Sequence, residues 1–151
     1  MTDIALAKAN LDGHSICLCR AGEIITDDGR GISPMMKFIA EGKDLSGCSA
    51  ADLIVGKAAA MLFVKAGIVC VHGKTMSESG KAYLEAHGTP CTYDILTEKI
   101  INRQGTGICP MEQTVAETDS ADAGYEALAA KLAEMRAVPG TEPAADSARL
   151  R

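Results

Sequence analysis

The sequence predicts an α/β domain with a mixed β-sheet that helices cover on both faces. Three observations lead to this prediction. Amphipathic helix patterns alternate with short strand patterns along the chain, as they do in α/β proteins. Residues 15–26 have the pattern of a β-hairpin with Ala21-Gly22 as its turn. Residues 68–72 form a continuous apolar run of strand length, which is typical of a sheet covered on both faces.

Local signals place the elements in order along the chain. Pro34 and Pro110 stand at first helical positions, and Ser77 is a predicted helix N-cap. Residues 97–102 fit either a strand or a helical turn. The predicted helices span residues 3–11, 34–41, 52–64, 77–87, 110–116 and 121–135, and the predicted strands span residues 15–20, 23–26, 68–72 and 89–93.

The helix predicted over residues 52–64 is apolar nearly all round. Ser49 precedes it and Asp52 follows three residues later, close to a capping-box arrangement. A helix that is apolar all round is a buried one. We therefore predict that residues 52–64 form the central helix of the domain.

Composition limits both the domain organisation and the class of function. The 151 residues suit one domain over residues 1–136, and the small, polar residues 137–151 predict a disordered tail. A net charge of -5 with scattered basic residues argues against duplex binding, and 3% aromatic residues argue against stacking on single-stranded nucleic acid.

The chain is also expected to be a cytoplasmic protein that contacts no membrane. No apolar run approaches the ~18 residues of a membrane span, and the acidic N-terminus does not resemble a signal peptide. The six cysteines are expected to be reduced thiols, because no signal peptide directs the chain to an oxidising compartment. Without Cys-x-x-Cys or clustered histidines, we expect no metal and no cofactor.

Lys57 is a candidate site residue because apolar residues surround it in the sequence. A lysine in such a setting needs water, a cleft or a carboxylate. It would bind an anion or act as an acid or base, and the structural alternative is a lysine that reaches solvent at a helix edge. Asp52 would border the same end of the predicted helix.

Cys109 is the second candidate because it stands at a predicted helix start, where a thiolate is favoured. Thr106 and Gly107 precede it in a glycine-rich loop that offers backbone N–H groups to an anion. Glu112 borders the same site or only complements the helix dipole. Arg103 would clamp a carboxylate or phosphate, although a surface arginine is the commoner outcome.

Five motifs together resemble a known family. They are Gly29-Arg30-Gly31, Lys43-Asp44-Leu45-Ser46-Gly47, Ser49-Ala50-Ala51-Asp52, Val55-Gly56-Lys57-Ala58-Ala59-Ala60 and Gly105-Thr106-Gly107-Ile108-Cys109-Pro110-Met111-Glu112. With these motifs, residues 3–135 resemble the domain-of-unknown-function family numbered 1893. The resemblance implies a cytidine-deaminase-like superfamily member and hence a three-layer α/β/α sandwich.

The resemblance does not carry the deaminase reaction to this chain. Zinc deaminases use His-x-Glu or Cys-x-Glu and a later Pro-Cys-x-x-Cys. At the matching positions this chain has Gly56-Lys57-Ala58-Ala59 and Lys74-Thr75-Met76-Ser77, with no metal ligand. In that frame Lys57 and Lys74 would stand where the metal and the general acid would be, and two cations suit an anionic group.

Three hypotheses about function follow from the sequence. The first is a deaminase-like domain that binds a small anionic or nucleotide-like molecule without zinc. The second is a thiol enzyme that uses Cys109 as its nucleophile. The third is a non-catalytic module for interaction or homo-oligomerisation.

Overall fold

The structure is a computed structural model that describes residues 1–102 and 104–137. Pro110 begins a helix and Ser77 caps one as predicted, and the Ser77 hydroxyl accepts the N–H of Gly80 at 3.0 Å. Pro34 is the second residue of its helix, which begins one residue earlier than predicted, at Ser33. Over the described residues the elements are α1 (Asp3–Ala9), β1 (Ile16–Arg20), β2 (Glu23–Asp27), α2 (Ser33–Ala40), β3 (Ser49–Val55), α3 (Lys57–Ala66), β4 (Cys70–Ser77), α4 (Glu78–Ala86), β5 (Cys91–Thr97), α5 (Pro110–Val115) and α6 (Ala121–Ala137).

The strands form a mixed sheet in the order β2-β1-β3-β4-β5. β1 runs antiparallel to β2, as the predicted hairpin requires, and antiparallel to β3. β3, β4 and β5 are parallel, and α3 and α4 connect them. The predicted α/β class with a mixed sheet is confirmed.

Helices pack against both faces of the sheet. Cys17 and Ala51 contact Ala7 and Leu11, so α1 lies on the face of the sheet to which those strand residues point. The neighbouring residues in the same strands, such as Leu18, point to the opposite face because side chains alternate along a strand. They belong to the larger core, which includes α3 and residues of the other helices.

The prediction of one helix over residues 52–64 is wrong. Residues Ser49–Val55 form β3, between β1 and β4, and α3 begins only at Lys57. A central strand that is buried on both faces is apolar throughout, so its sequence resembles that of a buried helix. Ser49 therefore begins a strand and does not cap a helix, and Lys57 begins the helix in whose middle it was predicted to lie.

The remaining boundaries differ less. The strands predicted over residues 68–72 and 89–93 begin two residues later and extend further, as β4 and β5. After β5, the described residues between 98 and 109 contain one isolated bridge, between Ile101 and Ile108. The tail predicted over residues 137–151 lies outside the described residues, except for Ala137, which ends α6.

β5 is an edge strand of the sheet and exposes apolar side chains on both faces, including Ile95 and Leu96. Such an edge is able to pair with another strand, and self-association of this chain stays a prediction. Among the described helices, none combines the length and apolarity that a membrane crossing requires.

Candidate functional site

The structure divides the predicted site residues between two clefts. Lys57 and Glu112 line a cleft of about 260 Å³ at the start of α3, which we call the α3 cleft. Lys74 lines a second cleft of about 530 Å³ on the sheet face that carries α1, which we call the α1-face cleft. The two cations that the resemblance placed around one ligand therefore belong to different surfaces.

Glu112 caps the N-terminus of α3. Its Oε1 accepts the backbone N–H of Lys57 at 2.8 Å, and its Oε2 accepts the N–H of Ala58 at 2.8 Å. These N–H groups have no partner within their own helix, and the helix dipole favours a negative charge there. Burial raises the pKa of Glu112, and the two N–H groups and the Lys57 ammonium oppose that rise.

Gly56 makes this cap possible because it has no side chain. A Cβ built on Gly56 would lie 2.4 Å from Oε1 of Glu112. Gly80 of α4 packs against the other side of the same junction, where its Cβ would lie 2.9 Å from the carbonyl carbon of Gly56. The β3–α3 junction is therefore enclosed by α5 and α4.

Lys57 strengthens the same contact between helices. Its Nζ donates to the carbonyl oxygen of Ala116 at 3.1 Å, just after α5. Because the last carbonyls of a helix lack partners within the helix, a lysine is favourable there. Lys57 and Glu112 thus join the start of α3 to both ends of the short α5.

Cys109 is buried behind this contact, with 4% of its surface exposed. Burial raises the pKa of its thiol; the N–H groups of Met111 and Glu112 lower it, and the Glu112 carboxylate adds to the rise. The net result disfavours the thiolate that nucleophilic catalysis needs. His72 and His87 have hydrogen-bond partners elsewhere, Thr92 and Tyr83 respectively.

We expect Cys109 in the folded protein to resist alkylation by iodoacetamide at about pH 7, because its thiol is buried and protonated. Cys70 and Cys91 are only partly buried and provide internal controls that react sooner. Mass spectrometry of the alkylated peptides measures the order of reaction. Preferential modification of Cys109 in the native protein would support the thiol-enzyme hypothesis instead.

The hydrogen bonds of Asp52, Thr106 and Gly107 go to residues other than Cys109. Asp52 is 2% exposed on β3, where its carboxylate accepts the N–H of Ile54 at 3.3 Å. Thr106 is exposed in a closed turn, in which its N–H donates to Oδ1 of Asn102 at 3.1 Å. The carbonyl of Gly107 accepts the N–H of Asn102 at 2.8 Å in the same turn. Arg103 lies outside the described residues.

The α1-face cleft is formed by the sheet and two loops. Its floor contains His72 and Lys74, two positions apart on β4 and therefore on the same face of the strand. One wall is the end of α1 with the loop into β1, and the other is the loop after β2, which contains Arg30. Gly29 and Arg30 of the sequence motif Gly29-Arg30-Gly31 thus line this cleft.

Each of the two histidines in the α1-face cleft has a carboxylate partner. Nδ1 of His14 lies 2.6 Å from Oδ1 of Asp28, and Nε2 of His72 lies 3.4 Å from Oδ1 of Asp94. Burial lowers the pKa of His72, the nearby Lys8 ammonium lowers it further, and Asp94 opposes both effects. The cationic lining of the cleft therefore acts on an ionisable group in its floor.

Most of this cleft could not be found from the sequence. Its two histidines stand alone in local sequence patterns, because their carboxylate partners are 14 and 22 residues away in the chain. One signal was present: His72 and Lys74 are polar residues two positions apart in β4, which is parallel to both of its neighbours. Such strands are normally apolar on both faces, so this spacing marks an uncovered part of one face.

Comparisons with known proteins agree with this architecture. The family model TM1506, described as a domain of unknown function (DUF1893), matches residues 5–132. A crystal structure of a DUF1893 family protein (TM1506) from Thermotoga maritima is similar with a TM-score of 0.75 and 24% identity, over 84% of this chain and 86% of that chain. At that identity the likeness shows the shared fold alone.

No curated protein matches this chain. The family match extends from α1 into α6 and includes both clefts. The chain therefore belongs to the DUF1893 family.

Proposed function

We propose that this domain binds a small anionic molecule in the α1-face cleft, without zinc. The observation that carries the proposal is that, among the described residues, the lysine and arginine side chains of the cleft have no carboxylate partner. Within the described part of the chain, Lys8, Arg30 and Lys74 line the cleft and form no ion pair. Three such cations in one concavity attract an anion, since opposite charges concentrate a ligand there.

Three carboxylates, those of Asp12, Asp28 and Asp94, also line the cleft and balance its three cations in formal charge. The lysine and arginine side chains therefore attract an anion locally, at their own positions, and not through a net positive charge of the cleft. The cleft volume of about 530 Å³ lies within the range of small-molecule sites, about 300–1,000 Å³. Both features support a ligand of metabolite size, and a nucleotide belongs to that size class.

The described side chains support binding of the ligand without zinc. In residues 1–102 and 104–137, no three His, Cys, Asp or Glu side chains are grouped so as to hold a metal ion. The mixed sheet with helices on both faces supports a cytidine-deaminase-like sandwich as the finer description of the fold. The proposal includes binding only and assigns no reaction.

Lys74→Ala is expected to weaken binding of an anionic probe such as ribose 5-phosphate by about tenfold, since a hydrogen bond to a charged group is worth about 1.5–3 kcal/mol. Lys74 is exposed on β4, so its removal leaves the core packing in place. Isothermal titration calorimetry with the full chain measures the affinity. Binding should also weaken as the salt concentration rises.

Lys43→Ala is the matched control, because Lys43 is also an exposed lysine and lines neither cleft. Equal losses of affinity in the two variants would show that the probe responds only to net charge. The proposal is abandoned if the wild-type protein binds neither phosphorylated nor carboxylated small molecules.

A further inference from the structure

We propose that the α1-face cleft selects anions that carry several hydroxyl groups and no aromatic ring, such as sugar phosphates and sugar acids, over nucleotides. This inference rests on the proposed function, because it assumes that the α1-face cleft is the binding site. It narrows the ligand from any small anion to a polyhydroxylated one.

The cleft mixes cations with carboxylates. Asp28 and Asp94 contact their histidines through Oδ1, and in the described part of the chain no contact uses their Oδ2 atoms. An ionised carboxylate only accepts hydrogen bonds, so it repels an anion but accepts from a hydroxyl group. A ligand can therefore bind both the cations and the carboxylates of this cleft only if it carries hydroxyl groups as well as a negative charge.

The carboxylates are also accessible to such a ligand. The side chain of Asp28 is 72% exposed and that of Asp94 is 56% exposed. They lie on different parts of the lining, one in the loop after β2 and the other on β5. A ligand whose charge lies at Lys74 or Arg30 therefore has acceptors for its hydroxyls on more than one side.

The described lining of the cleft also lacks the large aromatic side chains on which nucleotide bases stack. Of the residues that line the cleft, all within the described part of the chain, none is Phe, Tyr or Trp. His72 offers little ring surface, since its side chain is 5% exposed, and the side chain of His14, which is 36% exposed, is the remaining aromatic ring at the lining. Base stacking on Phe, Tyr or Trp side chains strengthens the binding of nucleotides, and this cleft offers a single imidazole in their place.

Calorimetry on the full chain with five probes tests the inference: inorganic phosphate, ribose, ribose 5-phosphate, gluconate and AMP. We expect ribose 5-phosphate or gluconate to bind about tenfold more tightly than inorganic phosphate, and more tightly than AMP. Ribose alone should bind more weakly than either sugar anion. The comparison of ribose 5-phosphate with gluconate distinguishes a phosphate ligand from a carboxylate ligand.

Asp94→Asn provides the second measurement, because it removes the charge and one acceptor oxygen at an exposed position. Its affinity for the preferred sugar anion should fall towards that for inorganic phosphate, while the affinity for phosphate stays equal or rises. AMP binding as tightly as ribose 5-phosphate, or phosphate binding as tightly as both sugar anions, overturns this inference alone. Failure of all four anions to bind overturns the proposed function as well.

Discussion

Replacing Glu112 with alanine is expected to lower the free energy of unfolding by about 2 kcal/mol. The substitution leaves the N–H groups of Lys57 and Ala58 without their acceptor and removes the charge that complements the α3 dipole. The loss should stay near ~2 kcal/mol because Glu112 borders a cleft, and water from that cleft replaces part of the lost contact. Urea unfolding measures the difference, and the melting temperature should fall by about 4–8 °C.

Glu112→Gln tests whether the charge or only the shape matters. The glutamine keeps one oxygen acceptor but presents an amide N–H₂ to the second backbone N–H, so we expect a loss smaller than that of Glu112→Ala. The matched control is the neighbouring Gln113→Ala, because the Gln113 side chain donates to the carbonyl of Ile108 and not to α3. Equal stability of Glu112→Ala and wild type would show that the cap contributes nothing.

The pH dependence of the Glu112 cap has a definite sign. Because burial raises the pKa of Glu112 in the folded state, the folded protein binds a proton at this site more readily than the unfolded chain does. The contribution of this protonation to stability is therefore fully present below the unfolded pKa and declines as the pH rises through the folded pKa. The advantage of wild type over Glu112→Gln should shrink over that interval, which urea unfolding at a series of pH values measures.

Gly56→Ala is expected to cost about 2–3 kcal/mol, because its Cβ would lie 2.4 Å from Oε1 of Glu112 and displace the cap. Backbone conformation is not the cause, since Gly56 has φ -99 and ψ -172, which alanine also adopts. The measurement is again the free energy of unfolding in urea. Gly107→Ala is the control, because its Cβ would meet nothing closer than Nδ2 of Asn102 at 3.9 Å.

The double variant Gly56→Ala, Glu112→Ala isolates the contact between the two residues. With the Glu112 side chain removed, Gly56→Ala should cost less than about 1 kcal/mol, which is the remaining preference for glycine over alanine at an N-cap. The two single effects would then fail to add. Additive losses would mean that Gly56 is required for another reason, such as its contact with Gly80.

This cap changes the interpretation of the segment around Cys109. The sequence suggested a loop whose backbone N–H groups receive an external anion. In the structure the anion that meets a helix N-terminus is the side chain of Glu112, and the helix is α3 rather than α5. Cys109 lies behind that contact as the N-cap residue of α5. Its burial favours a structural role over a nucleophilic one.

Much of the fold was predictable from local signals. The hairpin turn at Ala21-Gly22, the helix starts at Pro34 and Pro110 and the cap at Ser77 depend on residues close together in the chain. β3 was not predictable in this way, because an apolar run of its length suits a buried strand and a buried helix equally. Its pairing with β1 and β4 decides between the two structures.

By itself, the sequence determined the α/β class, the family resemblance and most helix starts. These properties depend on residue identities and on short-range patterns. Only the tertiary structure decided which candidates are in contact. Glu112 accepts the N–H of Lys57, which is 55 residues away in the chain, and His72 pairs with Asp94 on the next strand. Such contacts depend on strand order and helix packing, which local patterns do not encode, so only the structure shows that Lys57 and Lys74 line different clefts.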